Sequence, residues 1–140
     1  MANHVTYTIG GKDYELKLTA KKTIDLETVL DRSVTAALSD IDKMSVAAEI
    51  IAAAMPDGSH EERLNLAYEI YDSMTENGKT YRDYIYLVYD ILVSAGFLAG
   101  GTVEKQKELQ AAQEAIEEAA HNQALKLIEE KIQKINGSQS

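Results

Sequence analysis

With 140 residues, the chain is long enough for one domain with its own core, since domains run to roughly 100–200 residues. Acidic residues outnumber basic ones 23 to 14, for a net charge of −9. That balance argues against nucleic-acid binding, which needs Lys and Arg facing the phosphates. There is no cysteine, which excludes a disulfide framework and a thiolate metal site and fits a reducing compartment.

The N-terminal stretch MANHVTYTIGG has neither a basic n-region nor an apolar h-region, so no signal peptide is expected. The longest near-pure apolar run, Ile50 to Met55, falls far short of the roughly 20 residues of a membrane span. A soluble, intracellular protein with no membrane partner is expected.

Residues 5–18 read as a β-hairpin. Val5, Tyr7 and Ile9 alternate with polar residues, as do Tyr14, Leu16 and Leu18. Gly10-Gly11 can supply the positive φ of a tight primed turn. A two-residue loop would pair Tyr7 with Tyr14 and Val5 with Leu16; a four-residue loop would pair Ile9 with Tyr14. Both keep the apolar residues on one face, whereas an odd loop without a bulge would flip one strand. A lone hairpin is marginal in water, so this face must pack on something. Lys12, Lys17, Lys21 and Lys22 form a local basic group, read as a solvated hairpin edge rather than a phosphate site.

After Thr19, a candidate N-cap, the period becomes helical. Leu26, Val29, Leu30, Val34, Ala37, Leu38 and Ile41 form a stripe. A break at Ser33 or at Ser39 is compatible with it. A second helix is expected over about Lys43 to Met55, apolar nearly all round and therefore buried. Pro56-Asp57-Gly58 stops it. Ser59 and Glu62 form a capping-box pattern, each capping the other's backbone N–H. The third helix then carries Leu64, Ala67, Tyr68, Tyr71 and Met74 inward. Asn77-Gly78 ends it. Thr80 caps a fourth helix through Ala95, and Gly96 is its stop.

GFLAGGT at 96–102 reads as a flexible joint. The chain is accordingly divided into a hairpin-plus-helical domain over 1–98, a joint at 99–102, and an amphipathic helix with a disordered tail over 103–140. That last helix is expected from about Val103 to Ile135, ending at Asn136-Gly137. Its apolar spacing is not a strict heptad. It needs a partner surface, because propensity alone seldom stabilises a helix in water. Its own body, another copy of the chain and a client are all candidates. The fold class is mainly α: a helical domain with a short N-terminal β-hairpin and a long C-terminal helix.

Candidate chemistry is sparse. His4, His60 and His121 are far apart in sequence, and His60-Glu61-Glu62 lacks the second histidine of a zinc-protease helix. Gly10-Gly11 and Gly100-Gly101 lack the strand–loop–helix setting of a phosphate loop. Ser33, Ser45, Ser59, Ser73 and Ser94 have no nucleophile-elbow context. Adjacent carboxylates such as Glu117-Glu118 point apart on a helix. No catalytic, cofactor-binding or metal residue is assigned, and no cofactor is expected.

The fourth helix is more informative. On a wheel of about 100° per residue, Arg82, Asp83 and Asp90 share one arc that should face water. Tyr84, Ile85, Val88, Ile91 and Leu92 make the core face. Tyr86, Tyr89 and Val93 then sit beside the charged arc, more apolar surface than a one-sided helix needs. Two readings compete: a central helix packed on several sides, or a docking face for self-association or a client helix. Tyrosines suit a docking face because they combine apolar area with a polar tip. Tyr86, Tyr89 and Val93 are the candidate protein-binding residues.

The hairpin entry TYTIGGKDYELKLTAKKTIDLE, the apolar helix after it, and IYDSMTENGKTYRDYIYLVYDILVSAGFL resemble the tail assembly chaperones of siphophages and related prophages. The resemblance covers about residues 4–98 and rests on the order of elements. Where a glycine break would be expected after the first helix, this chain has Asp31-Arg32-Ser33. The resemblance implies a non-enzymatic protein of the infected host cytoplasm, absent from the mature virion. It implies binding to the tape measure protein and help in recruiting tail tube subunits. The alternatives are a structural tail or neck subunit of the virion and a small cytosolic protein-binding regulator.

Overall fold

The computed structural model describes residues 4–138. It is mainly helical, with an N-terminal two-stranded antiparallel hairpin and a long C-terminal helix. The chain forms two compact units, one up to Val103 and one from Glu104 onward.

Strands β1 (Val5–Ile9) and β2 (Lys12–Leu16) pair with Tyr7 opposite Tyr14 and Val5 opposite Leu16. The loop is therefore Gly10-Gly11 alone. Both glycines have positive φ, at 56° and 80°, the combination a primed two-residue turn demands. Register then puts Val5, Tyr7, Ile9, Tyr14 and Leu16 on the face that packs against the core.

Helix α1 (Ala20–Leu30) begins where the Thr19 hydroxyl accepts the Lys22 N–H. It ends at Asp31, which takes the left-handed conformation at φ 54°. Asp tolerates that region better than most side chains, so it replaces the expected glycine. Ser33 then caps α2 (Val34–Ala37) by accepting the Ala36 N–H at 3.0 Å. Glu27 reaches across the break and accepts the Val34 N–H at 2.9 Å. The break thus falls at Asp31-Arg32-Ser33. A 3-10 turn, Leu38–Asp40, follows α2. Val29 points outward and is exposed, because the break re-aims the chain before the stripe can continue.

Helix α3 (Met44–Ala54) is buried along almost its whole length. It packs on α1, on α4 (His60–Glu76) and on α5 (Tyr81–Ser94). Its five alanines let those neighbours come close. Lys17 N–H donates to the Ala54 carbonyl at 2.9 Å, tying the hairpin exit to the end of α3. On α4, Ala67, Ile70 and Met74 face inward, whereas Tyr68, expected inside, is 44% exposed. At the α4 start the Ser59 hydroxyl accepts the Glu62 N–H, and the Glu62 carboxylate takes the Ser59 hydroxyl. The reciprocal backbone bond forms instead one helix later, where Thr80 N–H donates to Asp83 at 2.8 Å.

Gly78 and Gly96 end α4 and α5 at positive φ. The Lys79 N–H reaches back to Met74, and the Phe97 N–H to Leu92, which closes the last carbonyls of each helix. Phe97 and Leu98 pack against the core rather than forming a loose joint. Helix α6 runs Thr102–Ser138. Asn136-Gly137 does not stop it, and the remainder of the expected tail, residues 139–140, lies outside the described residues.

Candidate protein-binding surface

Helix α5 is fixed from both ends and from one side. Tyr84, Leu87, Val88, Ile91 and Leu92 are buried. Leu87 was not expected there; it lies just beyond Ile91 on the wheel and extends the inward arc. Ile85, expected in the core, is half-buried at its edge. The fully buried Tyr84 donates its hydroxyl to the Ala67 carbonyl at 2.8 Å, joining α5 to α4. Burial pushes this phenol far above its ordinary value. Tyr71, Tyr81 and Tyr84 form one aromatic cluster, with edge contacts from Tyr71 at 5.4 and 6.0 Å. Tyr81 also donates to the Asp42 carbonyl at 2.6 Å, which ties the α5 start to the turn before α3.

Tyr86, Tyr89 and Val93 are half-buried, neither sealed like Tyr84 nor open like Tyr68. At about 100° per residue, Tyr86 and Val93 lie opposite the centre of the buried arc. Tyr89 packs on the core margin. Partial burial raises its phenol pKa, with Asp42 and Tyr86 close enough to raise it further. Asp90 and Arg82 are exposed on the same side, as the wheel requires. Asp83 departs from that expectation: it is half-buried and engaged in the Thr80 cap. The three candidate residues therefore make a part-covered strip of tyrosine and valine flanked by charge. Such a strip offers apolar area and hydroxyl groups to a polypeptide.

Two polar constellations escaped the sequence reading. The Glu49 carboxylate of α3 and the His60 ring of α4 meet at 2.8 Å. Beside them, Lys22 donates to the Met55 and Lys17 carbonyls at 3.0 and 3.4 Å, and Arg63 donates to Ala52. Both cations thus cap the carbonyl end of α3, where the helix dipole favours positive charge. Lys22 is a half-buried cap rather than a solvated hairpin-edge residue. Burial lowers its ammonium pKa, and nearby Arg63 lowers it further. A cleft of about 190 Å³ separates these groups. Nothing in the sequence pairs residues so far apart, because the contacts depend on how α1, α3 and α4 pack. Among the described residues, no three His, Cys, Asp or Glu side chains converge as a metal ion would require. No described helix is long and apolar enough to cross a membrane.

The α6 helix carries large aliphatic side chains that are exposed, from Leu125 at 46% to Ile116 at 70%. Comparison of the chain with protein-family models, curated proteins and solved structures finds no match.

Proposed function

We propose that this chain is a non-enzymatic phage tail assembly chaperone that holds the tape measure protein during tail morphogenesis. The observation that carries the reading is the strip of Tyr86, Tyr89 and Val93 on a helix whose opposite face is already locked into the core. A long helical client docks through anchors spaced at i, i+3 or i+4 and i+7. Positions 86, 89 and 93 repeat that spacing on the chaperone side. The net charge of −9 keeps such a protein soluble and favours basic client segments. The order of elements over residues 4–98 supports the same family. Recruitment of tail tube subunits and residence in the host cytoplasm belong to this proposal, as does absence from the mature virion.

The test is co-purification with a tape measure protein co-expressed with the chain. Tyr86→Glu with Tyr89→Glu should abolish capture while leaving the helical circular dichroism intact. Unfolding of the double variant would make these residues core and remove the site. Mass spectrometry of purified virions separates the rival structural role: a tail or neck subunit would be retained at fixed stoichiometry, and a chaperone would not.

A further inference from the structure

Strand β2 has an outer edge that the fold uses at one end. Because the hairpin loop has two residues, the pairs Ile9–Lys12, Tyr7–Tyr14 and Val5–Leu16 exchange the backbone hydrogen bonds with β1. The N–H and C=O groups of Asp13, Glu15 and Lys17 therefore point away from β1. At Lys17 this edge is taken, since its N–H donates to the Ala54 carbonyl at 2.9 Å. Among the described residues, no backbone group reaches Asp13 or Glu15 in the same way. There the edge borders a cleft of about 490 Å³, whose lining includes the Pro56-Asp57-Gly58 turn. The half-buried Tyr14 and Leu66 give the cleft an apolar part.

We infer that this cleft takes a short extended segment of a partner polypeptide, added antiparallel to β2 and carrying lysine or arginine at every second residue. Main-chain bonds to an open strand edge supply affinity in such additions, and alternate side chains supply specificity. Charge selects the side chains. Asp13, Glu15, Asp57 and Glu62 line the cleft, with Lys12 as the one cation among its described lining residues. The Lys12 ammonium lies over the Tyr14 ring, 5.1 Å from its centre. Lys22 and Arg63 have donors committed to backbone carbonyls at the end of α3. Asp13 accepts from Thr8, and Glu15 faces His4 at 3.1 Å, through one oxygen each; a carboxylate can accept several hydrogen bonds. A residue set opposite Asp13 or Glu15 shares the face of those carboxylates, and the residue between them shares the face of Tyr14. The matching segment is therefore basic, apolar, basic. The cleft makes no use of α5, so the inference stands or falls separately from the chaperone reading.

Fluorescence anisotropy of a fluorescein-labelled Lys-Val-Lys-Val-Lys peptide, titrated with the purified full chain, tests this. Saturable binding is expected, with a dissociation constant below about 1 mM. The same peptide N-methylated on each lysine keeps its charge but loses the N–H groups that β2 would receive, and it should not bind. Asp57→Lys should weaken the unmethylated peptide about tenfold, the size of a lost charge-assisted contact of roughly 1.4 kcal/mol. Glu76→Lys makes the same charge change at the far end of α4, about 21 Å along the helix from Glu62, and should leave binding unchanged. No saturable binding of the unmethylated peptide overturns the inference and leaves the acids as guards against unwanted edge pairing. Equal binding of the methylated peptide overturns it as well, because charge alone would then hold the segment, and so does equal weakening by Asp57→Lys and Glu76→Lys. Should Asp57→Lys misfold, the two peptides on the unsubstituted chain decide the matter.

Discussion

Helices α3 and α6 are both rich in alanine, yet they behave as opposites. In α3 the alanines share the helix with Val46, Ile50 and Ile51 and only two polar side chains, Ser45 and Glu49. Almost every azimuth is apolar, and α1, α4 and α5 close around it. In α6 charged residues recur on every side, so alanine sustains the helix without making it apolar all round. The difference teaches that alanine content sets how easily a segment becomes helical, while the placement of the few charges decides whether it becomes core.

The comparison breaks most visibly at Ile50. Truncating this fully buried side chain to alanine should cost about 2–5 kcal/mol, read from the urea midpoint at unchanged slope. A loss below about 1 kcal/mol would show that α3 is not the hub of the core.

Alkaline pH probes the helix packed on α3. Burial keeps the Tyr84 phenol protonated well above its ordinary value of 10.0, with Tyr81, Tyr68 and Asp72 adding to the effect. Partial burial raises Tyr89 in the same direction. The folded chain then holds protons that the unfolded chain releases. The stability from these groups is complete below about pH 10 and declines as pH rises beyond it. Denaturant titrations from neutral to strongly alkaline pH should show that decline, and Tyr84→Phe should flatten much of it. An equally steep decline in Tyr84→Phe would assign it to other groups.

The smallest effect belongs to α6. Ile132→Ser should move the unfolding midpoint of the hairpin-and-helix unit by no more than about 0.5 kcal/mol in dilute protein, because the side chain is half exposed. A shift as large as that of Ile50→Ala would mean that α6 stabilises the core after all.

The local features of the fold were legible where one or two residues dictate the backbone. Gly10-Gly11 narrows the hairpin to two registers, and the packed chain takes the one with the two-residue loop; Thr19, Ser59 and Thr80 start helices; Gly78 and Gly96 end them. Legibility failed where tertiary packing chooses between near-equal options. Asp31 adopts a conformation usually left to glycine, and only the bonds through Glu27 and Ser33 show why the chain turns there. Ile70 and Leu87 face inward, while Tyr68 and Val29 face out, because neighbouring elements decide which part of a broad apolar arc is covered. The excess of tyrosine on α5 could be read from spacing. The partial cover of Tyr86, Tyr89 and Val93, and the pairs His60–Glu49 and Lys22–Met55, required the packed structure.

Footprinting of tyrosine side chains tests the central claim most directly. The purified chain is labelled with hydroxyl radicals alone and with the tape measure protein, taking exposed Tyr68 as the internal reference. A client seated on the strip of α5 should lower the labelling of Tyr86 and Tyr89 several-fold relative to Tyr68. Equal labelling of all three with and without a bound tape measure protein would contradict it.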